Sequence, residues 1–286
     1  MIYPVVMAGQ ANSVVPAGEE RVPAHFFAEA MIESRFQSVI RCLDHPMFAA
    51  PTVVTCEANQ GLAVQQMCAV GVKGSLLVEP GLSKSAAALA AVALRFRDVP
   101  DALLLIMPAS HSCASEGRLL QTLDAALPAA KQGGIVAVAT RDHGSYGRLR
   151  TLSRRRGQEP MQALYSAGVG GDEADPDVLW NSGIYLVRAG SLLAAFKRHA
   201  PRILHATKAA VAGIAQTEIV RRLVPDAYGK VKQESFEAAI LGRVEIVDSV
   251  QLDHNRSIWE DWIQDMANEK AEAGAARRRA KRQRAA

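Results

Sequence analysis

The sequence predicts an α/β protein built on a mostly parallel central sheet with helices on both faces. Three observations carry that prediction. Short apolar runs alternate with helix-like segments through the first half of the chain. The runs are near-continuously apolar instead of alternating, so both of their faces must be covered, as in a parallel sheet. Polar or glycine-bearing steps fall just after the runs, at the carboxyl ends of the strands, where such sheets bind ligands.

In chain order, Ile2–Met7 reads as a strand, Glu29–Leu43 as a helix, Thr52–Cys56 as a strand and Gln60–Val70 as a helix. The alternation continues with a strand at Leu76–Glu79, an Ala-rich helix over Ser85–Phe96 and a strand at Ala102–Met107. A helix over Glu116–Ala130 and a strand at Ile135–Ala139 complete it. From Arg141 to Asp177 the pattern gives way to a polar, Gly-rich region holding Arg148, Arg150, Arg154, Arg155 and Arg156. This region reads as an excursion from the sheet, its charges a solvated face in preference to a phosphate clamp. Beyond it, Trp180-Asn181-Ser182-Gly183 opens the apolar run Ile184–Val187. Helices are expected at Ser191–His199, Pro201–Leu223 and Glu234–Leu241, with a short strand at Val244–Val247. A charged, Ala-rich helix from about Ile258 closes the chain, so the boundaries are an α/β domain over 1–257 and a helix with a basic tail over 258–286.

A chain of 286 residues, 49% hydrophobic and 22% charged, holds enough apolar material for one large domain with an appendage. The net charge of +4 is a property of the tail: Arg277 to Ala286 carries six cations, and removing them leaves −2. That balance speaks against a body that binds nucleic acid. The tail reads as a frayed, solvated helix end, the alternative being a contact for an anionic partner such as RNA, lipid or an acidic protein. The opening run Met1–Met7 has no basic flank and ends at Gly9, and Ser85–Leu94 is too short to cross a bilayer. Neither export nor a transmembrane segment is expected, which makes the cytoplasm the default location. Cys42, Cys56, Cys68 and Cys113 show no metal or redox spacing, and Cys56 and Cys68 sit in apolar surroundings where a thiol behaves as a small hydrophobe.

The candidate pocket segments are Ala8-Gly9-Gln10, Glu79-Pro80-Gly81 and Pro108-Ala109-Ser110-His111, together with the W-N-S-G step. A polar step against a buried strand is a poor core filler, because the Asn181 amide needs hydrogen-bond partners it would find in water. Two readings stand. Asn181 and Ser182 belong to a site, or they satisfy local backbone groups in a tight turn while Trp180 packs. His111 and His254 have no partner at ligand spacing and read as hydrogen-bonded structural residues.

In order and spacing, these segments resemble the sugar-1-phosphate nucleotidylyltransferases, most closely the mannose-1-phosphate guanylyltransferases, from Met1 to about Trp259. The W-N-S-G-I-Y-L step, E-P after one strand and P-A-x-H after another carry the resemblance. It implies a Rossmann-like, GT-A-like nucleotidyltransferase domain that joins GTP to mannose 1-phosphate, giving GDP-mannose and pyrophosphate with Mg²⁺. It also implies nucleotide contacts at Gly9, Glu79, Pro108, Ala109 and Ser110. Sugar-phosphate contacts are implied at Tyr146, Gly147, Asn181, Ser182, Gly183 and Arg243, and a metal ligand at Asp253. Arg243 keeps the alternative of capping a helix end.

The departures fall on one side of that implied site. Gly9, Pro16, Pro23 and Phe26 hold the frame of the first loop, but the family's catalytic Arg and Lys positions carry Ser13 and Ala24, and Glu19 replaces a second Arg. The family's P-A-D-H becomes Pro108-Ala109-Ser110-His111, exchanging a magnesium-binding carboxylate for a hydroxyl. Its E-P-x-x-R-N becomes Glu79-Pro80-Gly81-Leu82-Ser83-Lys84, and its F-x-E-K-P is matched by Gly157-Gln158-Glu159-Pro160, without the lysine. Phosphoryl transfer depends on cationic stabilisation, and one missing cation at the transferring phosphate costs ~10³ to 10⁵ in rate. Two function classes therefore remain. One is a guanylyltransferase that turns over with Mg²⁺. The other is a catalytically impaired member that binds GTP, GDP-mannose or mannose 1-phosphate, or that acts as an interaction module in a homo- or hetero-oligomer. A third, weaker reading lets the tail tether an inert domain to an anionic surface.

Overall fold

The sheet is organised around the N-terminal strand. β1 (Ile2–Met7) is buried along most of its length and is followed by a hairpin of β2 (Val14–Ala17) and β3 (Glu20–Pro23). The computed structural model describes residues 1–9, 14–17, 20–28, 33–81, 83–111, 116–141, 146–152, 161–167, 175, 177–214 and 219–252. The expected C-terminal helix, the basic tail and Arg154–Arg156 lie outside the described residues.

After the hairpin come α1 (Arg35–Cys42), β4 (Thr52–Cys56), α2 (Gln60–Ala69), β5 (Ser75–Glu79), α3 (Ser85–Arg95), β6 (Leu103–Pro108), α4 (Glu116–Lys131) and β7 (Val136–Thr140). Then follow β8 (Arg148–Thr151), β9 (Met161–Ser166), β10 (Val178–Arg188), α5 (Ala189–His199), α6 (Pro201–Ala210), β11 (Val220–Arg222), α7 (Pro225–Tyr228) and β12 (Val247–Gln251). The main sheet runs β11-β5-β4-β1-β6-β10-β7-β12-β9-β8. From β11 to β6 every pairing is parallel. β10 enters antiparallel between β6 and β7, and its first residues also pair with β8, so the far edge folds back on it.

Successive strand residues face opposite layers, as the two-residue period of a strand requires. Val5, Val54, Leu77 and Leu104 pack with α3, α5 and α6, while Val6, Val53, Leu76 and Leu105 pack with α1, α2 and α4. The Ala run explains α3. Alanine has the highest helix propensity, and side chains this small let a helix bury Ala86 to Ala93 against the sheet. α6 begins with Pro201 in its first turn, where the missing N–H costs nothing.

The expected strands and helices of the first half appear with ends shifted by a residue or so, except that the first helix starts only at Arg35. The second half departs further. The polar region after Arg141 is in part the edge of the same sheet, since β8 and β9 pair with each other and with β10 and β12. The helix expected over Pro201–Leu223 stops at Ala210, and Val220–Arg222 is instead a short edge strand. The helix expected over Glu234–Leu241 contracts to a π-type turn at Glu237–Leu241, and the last strand lies at Val247–Gln251. Edge strands of three or four residues, two of them arginines as in β8 (Arg148, Arg150) and β11 (Arg221, Arg222), carry too little apolar signal to be read from periodicity. Cys42 is disulfide-bonded, which scattered spacing did not show, while Cys56 and Cys68 carry free thiols; Cys68 is exposed. Among the described residues no helix is long and apolar enough to cross a membrane.

Candidate functional site

The carboxyl ends of β1, β5 and β6 meet the middle of β10 around a cavity of about 390 Å³. Gly9 follows β1, Glu79 ends β5, Pro108 ends β6 and Ser110 follows it. Tyr146, Gly147 and Tyr165 wall the side toward β8 and β9, and Phe236 and Glu237 close it.

The W-N-S-G step forms the wall through an irregularity of β10. The register against β7 shifts between Asn181 and Tyr185, and Gly183 sits there at φ +78°. A Cβ at Gly183 would stand 2.8 Å from the Tyr146 ring and 3.0 Å from Pro108. Glycine is thus required twice, for the left-handed backbone and for the contact. Gly183→Ala is expected to lower unfolding free energy by about 2 kcal/mol, as measured by urea denaturation; an unchanged midpoint would show that the bulge relaxes freely.

Asn181 is fully buried, and its amide is saturated. Nδ2 donates to the Tyr146 carbonyl at 3.1 Å and to the Tyr185 hydroxyl at 2.8 Å, and Oδ1 accepts from the Gly183 N–H at 3.1 Å. Tyr185 in turn donates to Glu237 Oε1 at 2.8 Å. Asn181 therefore orients the wall from behind, and Tyr185 and Glu237 are the groups that reach the cavity. Burial first, and then the Glu237 charge, raise the Tyr185 hydroxyl well above its ordinary pKa, so it stays a donor. Tyr165 is pushed up to about 12 by the same two causes in the same order. Ser182 is tied to β7, donating to the Val138 carbonyl at 2.7 Å. Gly147, at φ +92°, packs so closely on Ser166 and Tyr165 that a Cβ would come within 2.7 Å of both.

On the opposite wall Glu79 is buried, and its Oε1 accepts hydrogen bonds from the Ser83 and Tyr228 hydroxyls, which are 2.8 Å apart. Burial raises its carboxyl to about 7 against the lowering effect of both hydrogen bonds. A Cβ on Gly9 would stand 2.5 Å from Glu79 Oε2, so the start of the first loop is glycine because a carboxyl oxygen occupies the space. Ser83 thus shares Glu79 with a tyrosine from α7.

His25 also lines the cavity, in a single 3₁₀ turn that Ala24 opens. It is 3% exposed, and its Nε2 has no hydrogen-bond partner. Burial holds the imidazole down to about 4, outweighing a hydrogen bond with the Ala8 backbone. The turn is fixed from outside: Gln66 Nε2 donates to the Phe26 carbonyl at 2.7 Å, and Ser34, the N-cap of α1, donates to Gln66 Oε1 at 2.6 Å.

Of the residues singled out in the sequence, Gly9, Glu79, Pro108, Ser110, Tyr146, Gly147 and Gly183 share this cavity. Ala109 is buried beside it, its N–H on the Met7 carbonyl. Arg243 is committed elsewhere, donating at 2.6 Å to the carbonyl of His199, the last residue of α5, and to Glu234 at 2.5 Å. Arg148 stacks 4.4 Å over Trp180, and Arg150 pairs with Asp175 at 3.1 Å. Ser13, Asp253 and His254 lie outside the described residues. The sequence assigned no role to His25, Tyr165, Tyr185, Tyr228 or Glu237. Tyr228 comes from a four-residue helix remote in sequence, and nothing local marks it.

The described lining assembles no ligand set for a magnesium ion, and Asp253 lies outside the described residues. Among the described residues no three His, Cys, Asp or Glu side chains gather as a metal site. The two carboxyls of the cavity are engaged by hydroxyl donors, and Ser110 offers at most a neutral oxygen.

The fold is a mixed α/β, Rossmann-like domain of the kind that nucleotidyltransferases share. A mannose-6-phosphate isomerase from Helicobacter pylori superposes with a TM-score of 0.72 at 19% identity, covering 88% of this chain and 97% of that one. A mannose-1-phosphate geranyltransferase from Thermus thermophilus gives 0.70 at 20% identity, covering 88% and 74%. In sequence the chain is similar to the mannose-1-phosphate guanylyltransferase of Sinorhizobium fredii, 27% identical over 261 residues, 84% of this chain and 49% of that protein. It is likewise similar to the mannose-1-phosphate guanylyltransferase of Escherichia coli, 26% identical over 278 residues, 91% of this chain and 58% of that one. In sequence the chain is thus similar to mannose-1-phosphate guanylyltransferases, at 26–27% identity over most of its length. It spans about half the length of the curated relatives it matches, and no family model matches it.

Proposed function

We propose that this chain is a non-catalytic member of its family, one that keeps the cavity as a ligand-binding site and does not transfer a guanylyl group. One observation carries the proposal: no lysine or arginine is among the described residues lining the cavity. Transfer to a phosphate ester needs cations positioned on the phosphates. The departures at Ser13, Ala24, Ser83 and Ser110 all remove charge or coordination from that one reaction, and losses within one constellation reinforce each other. The wall around Asn181, Tyr185 and Glu237 is, by contrast, fully hydrogen-bonded and closely packed, which supports a retained binding role.

The test is pyrophosphate release from GTP and mannose 1-phosphate with Mg²⁺. The rate is expected to fall at least ~10³-fold below that of an active relative assayed in parallel. Turnover within tenfold of that relative would overturn the proposal.

A further inference from the structure

The lining of the cavity has a chemical character of its own. Its charged or chargeable groups are Glu79 and Glu237, and His25 is held neutral by burial. Three tyrosines and Phe236 supply flat apolar faces, and Ser83, Ser85, Ser110 and Ser235 supply hydroxyls.

Two arginines near the site are turned to other tasks, and Lys84, between the lining residues Ser83 and Ser85, is exposed and is not itself among the lining residues. Arg35 reaches the wall from outside, donating to the Ser110 carbonyl at 3.3 Å, and Arg243 is engaged by Glu234 and His199. A phosphate ester placed here would meet no lysine or arginine among the described lining residues and would stand beside the Glu237 carboxyl. Carboxyl oxygens and aromatic faces instead suit hydroxyl donors and the apolar faces of sugar or base rings.

We propose that the cavity takes an uncharged polyhydroxyl compound, the chemistry shared by a free sugar and a nucleoside, in preference to any phosphorylated form of the same compound. The proposal rests on the reading of the cavity as a binding site and specifies what that site accepts. A volume of about 390 Å³ falls in the ordinary range for small-molecule sites.

The test is isothermal titration of the full chain with mannose, mannose 1-phosphate, guanosine, GMP and GDP-mannose at low ionic strength. Mannose or guanosine is expected to bind, and each phosphorylated form to bind at least tenfold more weakly than its parent; the two parents tell a sugar site from a nucleoside site. Affinity for the parent is expected to stay constant as salt is raised. Glu237→Gln is expected to narrow the gap between parent and phosphate ester, and the same gap measured on the unaltered protein decides the matter if that variant does not fold. A phosphorylated form that binds as tightly as its parent, or more tightly, would overturn this inference and leave the binding reading intact. No binding by any of the five would overturn both.

Discussion

Replacing Glu79 with glutamine is expected to remove a pH-dependent destabilisation on the order of 3 kcal/mol at neutral pH. Burial carries this carboxyl from 4.5 to about 7 in the folded protein, so the unfolded chain gives up its proton near 4.5 and the folded one near 7. Folding therefore takes up a proton between those values. The stability contributed by the raised pKa is whole below pH 4.5 and is lost as pH rises to 7, at about 1.4 kcal/mol per pH unit. Glutamine keeps an oxygen to accept from Ser83 and Tyr228 and carries no titrating proton. The difference in unfolding free energy, Glu79→Gln minus wild type, is expected to climb between pH 4.5 and 7 and to level off on either side, in urea denaturation across that range. Parallel curves for the two proteins would show that Glu79 is ionised in the fold and that the hydrogen bonds outweigh burial.

How far the sequence speaks for this fold depends on where its information is local. Strands such as Thr52–Cys56 and Leu103–Pro108 are apolar on both faces because helices cover both, and that is visible in any short window. β8 and β11 are held by register with their neighbours, Arg148–Thr151 on β9 and β10 and Val220–Arg222 on β5. Their residues say little until those neighbours are in place.

The site divides in the same way. Gly9, Glu79 and the W-N-S-G step each follow or interrupt an apolar run, so their neighbourhood marks them. What the sequence left open at Asn181, a site residue or a satisfied turn, the structure answers with elements of both: the amide is consumed within the wall, and that wall faces the cavity through Tyr185 and Glu237. The pairing of Ser83 with Tyr228 on Glu79 joins residues 145 and 149 positions apart, and no period or motif announces a contact over that distance. Burial and these two hydroxyls set the protonation of the Glu79 carboxyl, which is raised to about 7.

His25 supplies the opposite sign. Burial lowers its imidazole from 6.5 to about 4, so the folded protein holds it neutral while the unfolded chain protonates it near 6.5. Its contribution to stability is whole above pH 6.5 and is lost as pH falls to 4, on the order of 3 kcal/mol in all. Between pH 4.5 and 6.5 folding takes up one proton at Glu79 and releases one at His25, so in the wild type the two slopes nearly cancel. Each single variant is expected to uncover the other residue. Glu79→Gln should lose stability on acidification through this window, and His25→Gln should gain it, both by about 1.4 kcal/mol per pH unit relative to wild type. The double variant should return to the wild-type slope, because the two titrations are then both absent. A His25→Gln curve that keeps the wild-type slope would mean that the imidazole protonates freely in the fold. The cavity wall would then carry a cation in mildly acid solution, and the argument for an uncharged ligand would hold only above its pKa.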